Sequence, residues 1–198
     1  MELDSVINNI YLQSPYIKRV LNKTVFDEME VGSPVYGEVT SVGTDSIVKQ
    51  FADFFNEETI FYDLGSGLSK MVMHIGLKYN PKKSIGIEFS KERHNEALRI
   101  KEQYCPDQTN IYIINGNIIE SNLSDATVIY IDNTVFPESL VKQIYDNIPK
   151  GCLILYKNSL SRALKTKEGE TPIKINETKL PDLVERTYNQ RALYWMIK

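Results

Sequence analysis

Asp63-Leu64-Gly65-Ser66-Gly67 stands between an apolar run and a helix-forming run, and Glu88 follows 23 positions after Gly65. Glycines let a turn pass close to a ligand with no Cβ in the way. An acidic residue about twenty positions on can accept both hydroxyls of an adenosine ribose. Two ligand classes use this arrangement. A dinucleotide site requires G-x-G-x-x-G, with the pyrophosphate at the helix N-terminus. Here the third position is Lys70, so that fingerprint fails. An acidic residue just before the turn suits a cation better, and Asp63 is placed to hold the amino end of S-adenosylmethionine. A plain strand-turn-helix connection with no ligand is the remaining alternative.

Two further turns carry polar groups. In Asn115-Gly116-Asn117-Ile118, Asn117 could reach an adenine amino group or serve only the turn. In Asp132-Asn133-Thr134-Val135-Phe136-Pro137, Asp132 or Asn133 could orient an amine lone pair while Phe136 walls a channel. Helix capping by Asn133 or Thr134 is compatible with that role.

The elements that must position these residues alternate. Short apolar runs at 59–64, 84–89, 111–115, 127–132 and 152–156 read as strands. They are continuously apolar, as in a parallel sheet covered on both faces. Helices are expected over 69–79, from a Ser90 cap to Tyr104, and after Pro137, where Leu140, Val141, Ile144 and Tyr145 repeat at helical spacing. Alternating βα units of this length imply a doubly wound α/β sheet. Residues 192–198 read as a terminal strand, with 172–176 as its possible partner, so the mainly parallel sheet is expected to finish with an antiparallel pairing.

Ahead of the sheet, the first 30 residues read as one or two short helices or turns. Residues 31–45 read as a loop, with Asp45 capping a helix whose Ile47, Phe51, Phe54 and Phe55 share a face. This gives a lid region over 1–44 and a core over 45–198 within one compact domain.

Composition sets outer bounds. The chain has 198 residues, 42% hydrophobic and 25% charged, with a net charge of -3. That excludes a disordered tail or a disulfide miniprotein, and it argues against a dedicated non-specific DNA binder. Cys105 and Cys152 lie in unrelated contexts, so zinc and redox motifs are absent and a reduced intracellular setting is expected. No metal site is expected. The start has no secretory pattern, and no apolar run approaches the roughly 20 residues that span a bilayer. His74 and His94 fall on helices away from the strand ends and are read as packing or surface residues.

Val35-Tyr36-Gly37-Glu38, Tyr62 to Gly67, Gly86-Ile87-Glu88, Val128 to Phe136 and Lys150 to Ile154 resemble, in order and spacing, the Dot-type (disruptor of telomeric silencing) histone lysine methyltransferases. The likeness covers about residues 25–158. It implies a class I methyltransferase (Rossmann-like) fold, S-adenosylmethionine as methyl donor and a histone lysine as acceptor. By match, Tyr36 and Glu38 belong to a loop closing over the methionine end of the donor. Asp63, Gly65, Ser66 and Gly67 line it, Glu88 binds the ribose, and Phe136 helps form the lysine channel. Asp132 stands where the family has its first asparagine, and Asn133 keeps the second. Asn117-Ile118 replaces the family's Asp-Phe.

The catalytic set expected from these readings is Tyr36, Asp132, Asn133 and Phe136. The cofactor set is Tyr36, Glu38, Asp63, Gly65, Ser66, Gly67, Glu88 and Asn117. The expected partner is a protein with an exposed lysine, a histone or nucleosome. Lys157, Arg162, Lys165, Lys167 and Lys174 could add a weak nucleic-acid contact, or form a solvated loop. The location follows the substrate: nucleus for chromatin, otherwise cytoplasm. A methyltransferase for RNA or a small molecule, or a non-catalytic binding module, are the other classes.

Overall fold

The computed structural model describes residues 2–13, 38–160, 163–164, 174–180, 183 and 191–198. Tyr36, most of the first 30 residues read as short helices or turns, and the cations Arg162, Lys165 and Lys167 lie outside the described residues.

Five parallel strands set the frame, three of them followed by an α-helix. Strands β1 (Ile60–Leu64), β2 (Lys83–Glu88), β3 (Ile111–Asn115), β4 (Val128–Ile131) and β5 (Leu153–Tyr156) run parallel. Strands β6 (Asn176–Leu180) and β7 (Arg191–Ile197) complete the sheet in the order β3-β2-β1-β4-β5-β7-β6. β7 is antiparallel to both β5 and β6. The order reverses between β1 and β4, and that switch point is where open α/β sheets bind ligands, beyond the carboxyl ends of the strands.

Each central strand is buried on both faces, which is why the runs read as continuously apolar. On β4, Val128 and Tyr130 enter one layer while Ile129 and Ile131 enter the other. The first layer packs under α1 (Leu3–Leu12), α2 (Ser41–Gln50), α3 (Lys70–Lys78) and α4 (Lys91–Tyr104), through Ile10, Ile47, Val72 and Ile100. The second packs under α5 (Glu138–Asn147), through Leu140, Val141 and Ile144. These layers account for the doubly wound fold expected from the pattern.

Two local expectations are corrected. Asp45 does not cap a helix, because α2 begins at Ser41 and is capped by the Thr40 hydroxyl, which accepts the Gly43 N–H at 2.9 Å. The end of the expected loop is therefore helical, and Phe54 leaves α2 in a separate 3-10 turn at Ala52–Phe54. Asp45 instead accepts from Lys78 Nζ at 2.9 Å and Tyr79 Oη at 2.6 Å, and lies 2.9 Å from His74 Nε2. The strand expected near 172–176 runs over Asn176–Leu180, set by pairing with the long β7.

Candidate active site

β1 ends in a tight turn. Gly65 and Gly67 hold φ of 85° and 57°, the left-handed region in which a side chain is strained. The Gly65 and Ser66 N–H groups both donate to Ile87 O, at 2.9 and 3.0 Å, which ties the turn to the end of β2. Glu88, 4% exposed, fixes the other side: its Oε2 accepts the Gly67 N–H at 2.7 Å and its Oε1 the Ser90 N–H at 2.9 Å. The Arg93 guanidinium lies 3.8 Å from that carboxylate. The carboxylate expected to bind the ribose thus also holds the turn beside it.

Beyond the turn opens a cleft lined by Glu38, Asp63, Gly65, Ser66, Gly67 and Asp132 from the expected set. Lys70 and Tyr130 line it too, and neither was assigned a site role from the sequence. Asp63 is 6% exposed, and burial, then the neighbouring charges of Glu88 and Asp132, push its carboxyl up to about 8. Tyr130 is its cross-strand partner on β4 and is 3% exposed. The Tyr130 hydroxyl has no hydrogen-bond partner among the described residues. Burial, then Asp132 and Asp63, hold this phenol well above its ordinary range, so it stays protonated.

Lys70 closes one wall. It is the first residue of α3, where a cation opposes the helix dipole, and it is 5% exposed. Its ammonium donates to Tyr11 O at 3.2 Å and Gln13 O at 2.7 Å, and sits 2.8 Å from Glu38 Oε1. The C-terminal end of α1 and the Glu38 wall therefore meet on one nitrogen. A lysine followed directly by three apolar residues at the start of the helix was the sequence signal for this.

At the end of β4, Asp132 accepts from the Thr134 N–H and hydroxyl and lies 3.7 Å from Lys157 Nζ. Lys157, read as part of a surface patch, is only 9% exposed at its side chain. Phe136 stands against the glycine turn: a Cβ on Gly65 would lie 3.5 Å from the tip of its ring. Asn133 is buried with both ends of its amide bound to backbone, accepting from Lys157 and Asn158 N–H and donating to Asn158 O at 2.8 Å. Asn117 Oδ1 accepts the Ile119 N–H at 3.1 Å, capping the 3-10 turn Ile118–Glu120. The structure brings Glu38, Asp63, Gly65, Ser66, Gly67 and Asp132 to the cleft, with Glu88 and Phe136 against its turn. Asn117 and Asn133 hold neighbouring turns.

A cationic, ribose-bearing ligand fits these residues. The floor carries carboxylates and one buried hydroxyl with an unused hydrogen-bonding site, while the turn beside Glu88 is built to let backbone approach. Among the described residues, no group of three or more metal-ligating side chains and no helix long and apolar enough to cross a membrane is present.

Over 75 residues the chain is 33% identical to a protein-lysine N-methyltransferase of Saccharolobus islandicus, a match covering 37% of this chain and 45% of that protein. The chain thus spans less than half the length of that relative. An RNA methyltransferase of Salinibacter ruber, solved with S-adenosyl-L-homocysteine, superposes with a TM-score of 0.58 at 17% identity, over 78% of this chain and 88% of that one. TrmK of M. capricolum, also solved with S-adenosyl-homocysteine, gives 0.54 at 16% identity, over 77% and 67%. Those two establish the Rossmann-like methyltransferase fold. The model of the histone methylation protein DOT1 matches residues 16–189. The chain therefore belongs to the DOT1 family of S-adenosylmethionine-dependent methyltransferases.

Proposed function

We propose that the chain transfers a methyl group to a protein lysine, with a histone lysine as the acceptor. The observation that carries this is the carboxylate-lined cleft at the switch point, open beside Asp132 and Phe136. The family and the lysine-directed relative supply the acceptor class. Glu38, Asp63, the 65–67 turn and Glu88 hold the cofactor, with Tyr36 and the rest of the 1–44 region covering the 45–198 core. Asn117 is proposed at the adenine end. When bound, the cofactor supplies an electrophilic methyl group on a sulfonium.

The rest is done by the chain's own residues, chiefly as positioning. A free lysine near pKa 10.4 must lose its proton, which costs about 4 kcal/mol near pH 7.5. The Phe136 ring over Gly65 excludes water from the acceptor, which lowers that cost by desolvating the ammonium. Asp132 accepts a hydrogen bond from the incoming nitrogen. The nearby Lys157 ammonium limits how strongly that carboxylate favours the charged lysine. Asn133 keeps the 157–158 backbone in place beside them. No strong general base is required.

The partner is a protein with an exposed lysine, and the stretch to Lys174 adds at most a weak nucleic-acid contact because Lys157 is turned inward. The protein acts inside the cell, in the nucleus if its substrate is chromatin and in the cytoplasm otherwise. A labelled-donor assay on free histones, nucleosomes, RNA and cell extract, followed by mass mapping, tests this. Label on a protein lysine is expected. Label confined to RNA or small molecules would remove the lysine assignment.

A further inference from the structure

Among the described residues the hydroxyl of Tyr130 has no partner, and neither packing nor the turns give it a purpose. Its position is otherwise a core position. Tyr130 belongs to the apolar layer beneath α3 and is paired with Asp63 on one side and Leu155 on the other. A phenylalanine would fill the same space without the oxygen. A buried hydroxyl with no partner is destabilising, so native structures seldom keep one that nothing uses. Tyr130 is one of the residues that line the cleft.

We propose that the Tyr130 hydroxyl is a cofactor-binding group, accepting a hydrogen bond from the amino-acid ammonium of S-adenosylmethionine and turning its own proton toward the Asp63 carboxylate. Three observations select this ligand group. Glu88 and Asp132, the charges beside Asp63, disfavour an anion at this depth, and Lys70, the cation of the cleft wall, is already bound to Glu38. A protonated phenol is both donor and acceptor, so it can sit between an ammonium and a carboxylate where neither of two carboxylates could. Tyr130 lies level with Asp63 in the sheet and two residues short of Asp132. It is therefore deeper than the strand end where the acceptor lysine is expected, on the cofactor's side of the cleft. The inference rests on S-adenosylmethionine as the bound donor and adds the residue that, with Asp63, reads its amino group.

Tyr130→Phe removes only the oxygen. Calorimetry on the full chain should show S-adenosylhomocysteine bound about tenfold more weakly by the variant, the loss of one hydrogen bond to a charged group. Binding of 5′-methylthioadenosine, which has no amino-acid group, should be equal in the two proteins. The unliganded variant should melt at the same temperature as the wild type or higher, because a buried unpaired hydroxyl has gone. Equal affinity for S-adenosylhomocysteine would overturn the assignment. So would an equal loss with 5′-methylthioadenosine, which would trace the effect to cleft shape. Failure of the wild type to bind S-adenosylhomocysteine would overturn the cofactor reading itself, and this proposal with it.

Discussion

The polar groups beneath α1 and those on the cleft floor lie in the same layer of the fold, yet they are partnered in opposite ways. Beneath α1, Lys70 meets two carbonyls and a carboxylate, and Asp45 meets Lys78, Tyr79 and His74. His74, 1% exposed, lies 3.3 Å from the Tyr11 hydroxyl through Nδ1, and burial pushes it down to about 4, so it is neutral. On the floor, Asp63 faces two more carboxylates, and the Tyr130 hydroxyl has no partner among the described residues. Buried charge is compensated where it holds elements together. On the floor Asp63 is the carboxylate with no cation beside it among the described residues, since Arg93 lies near Glu88 and Lys157 near Asp132, and a cationic ligand completes it. Lys70 belongs to both regions, since it also lines the cleft.

Breaking the compensated region should give the largest effect. Lys70→Met leaves Glu38 and two carbonyls facing a methyl group. Removing one partner of a buried pair costs about 3–5 kcal/mol. For a domain of this size each kcal/mol moves the melting temperature by about 2–4 °C. Scanning calorimetry should therefore show a fall of roughly 10 °C. Adding Glu38→Gln removes the carboxylate that faced Lys70 and should recover part of the loss. Equal stability of wild type and Lys70→Met would mean that the ion pair is not what holds the end of α1 against the cleft wall.

Titrating the uncompensated region comes next in size. Asp63 titrates at about 8 in the folded chain but near 4 in an unfolded one. Between those values the folded chain holds a proton that the unfolded chain has lost. The stability linked to this group is full below about pH 4 and is lost as the pH rises through 8. A bound cation needs the ionised form, so its affinity moves the other way. Affinity for S-adenosylmethionine should rise with pH, by up to about tenfold per unit below 8, and level off above. Calorimetry from pH 6.5 to 8.5 in buffers of different ionisation enthalpy would count the proton released. Asp63→Asn should flatten the pH dependence and raise the melting temperature of the unliganded chain at the alkaline end. An affinity independent of pH would mean that Asp63 is already ionised, and the contrast between the two regions would be smaller than described.

That contrast also explains how much could be read in advance. Strands with continuous apolar runs, and helices bounded by Ser90 or Pro137, were legible because local patterning and burial agree there. Asp63, the glycine turn and Glu88 were legible because their spacing follows from the turn itself. Lys70 and Tyr130 were not, because the sequence gives a residue's charge but not its surroundings. Lys70 entered only as a glycine that was missing, and Tyr130 only as one more apolar strand residue. Asn133 shows the converse: its type suited an acceptor site, but three backbone bonds occupy its amide. The start of α2 was hidden because Gly43 and Thr44 look like loop residues, while the cap is a hydroxyl at Thr40 that any loop could also carry.

The smallest expected effect tests whether the two regions are separable at all. In the folded chain the Thr40 hydroxyl accepts the Gly43 N–H, while its backbone N–H donates to Leu183 O at 3.2 Å and its carbonyl accepts from Thr44 N at 2.9 Å and Thr44 Oγ1 at 3.0 Å. Thr40→Ala removes the cap and leaves the backbone contacts. Loss of a threonine cap costs about 1 kcal/mol, or 2–4 °C of melting temperature. Glu38 and Val39, immediately before it, line the cleft. They are held by Lys70 and by the core rather than by the cap, so affinity for S-adenosylhomocysteine should change by less than about twofold, well under one hydrogen bond. A larger drop in affinity, with stability unchanged, would mean that the cap and the cleft wall move together. The compensated network would then tune the cofactor site as well as support it.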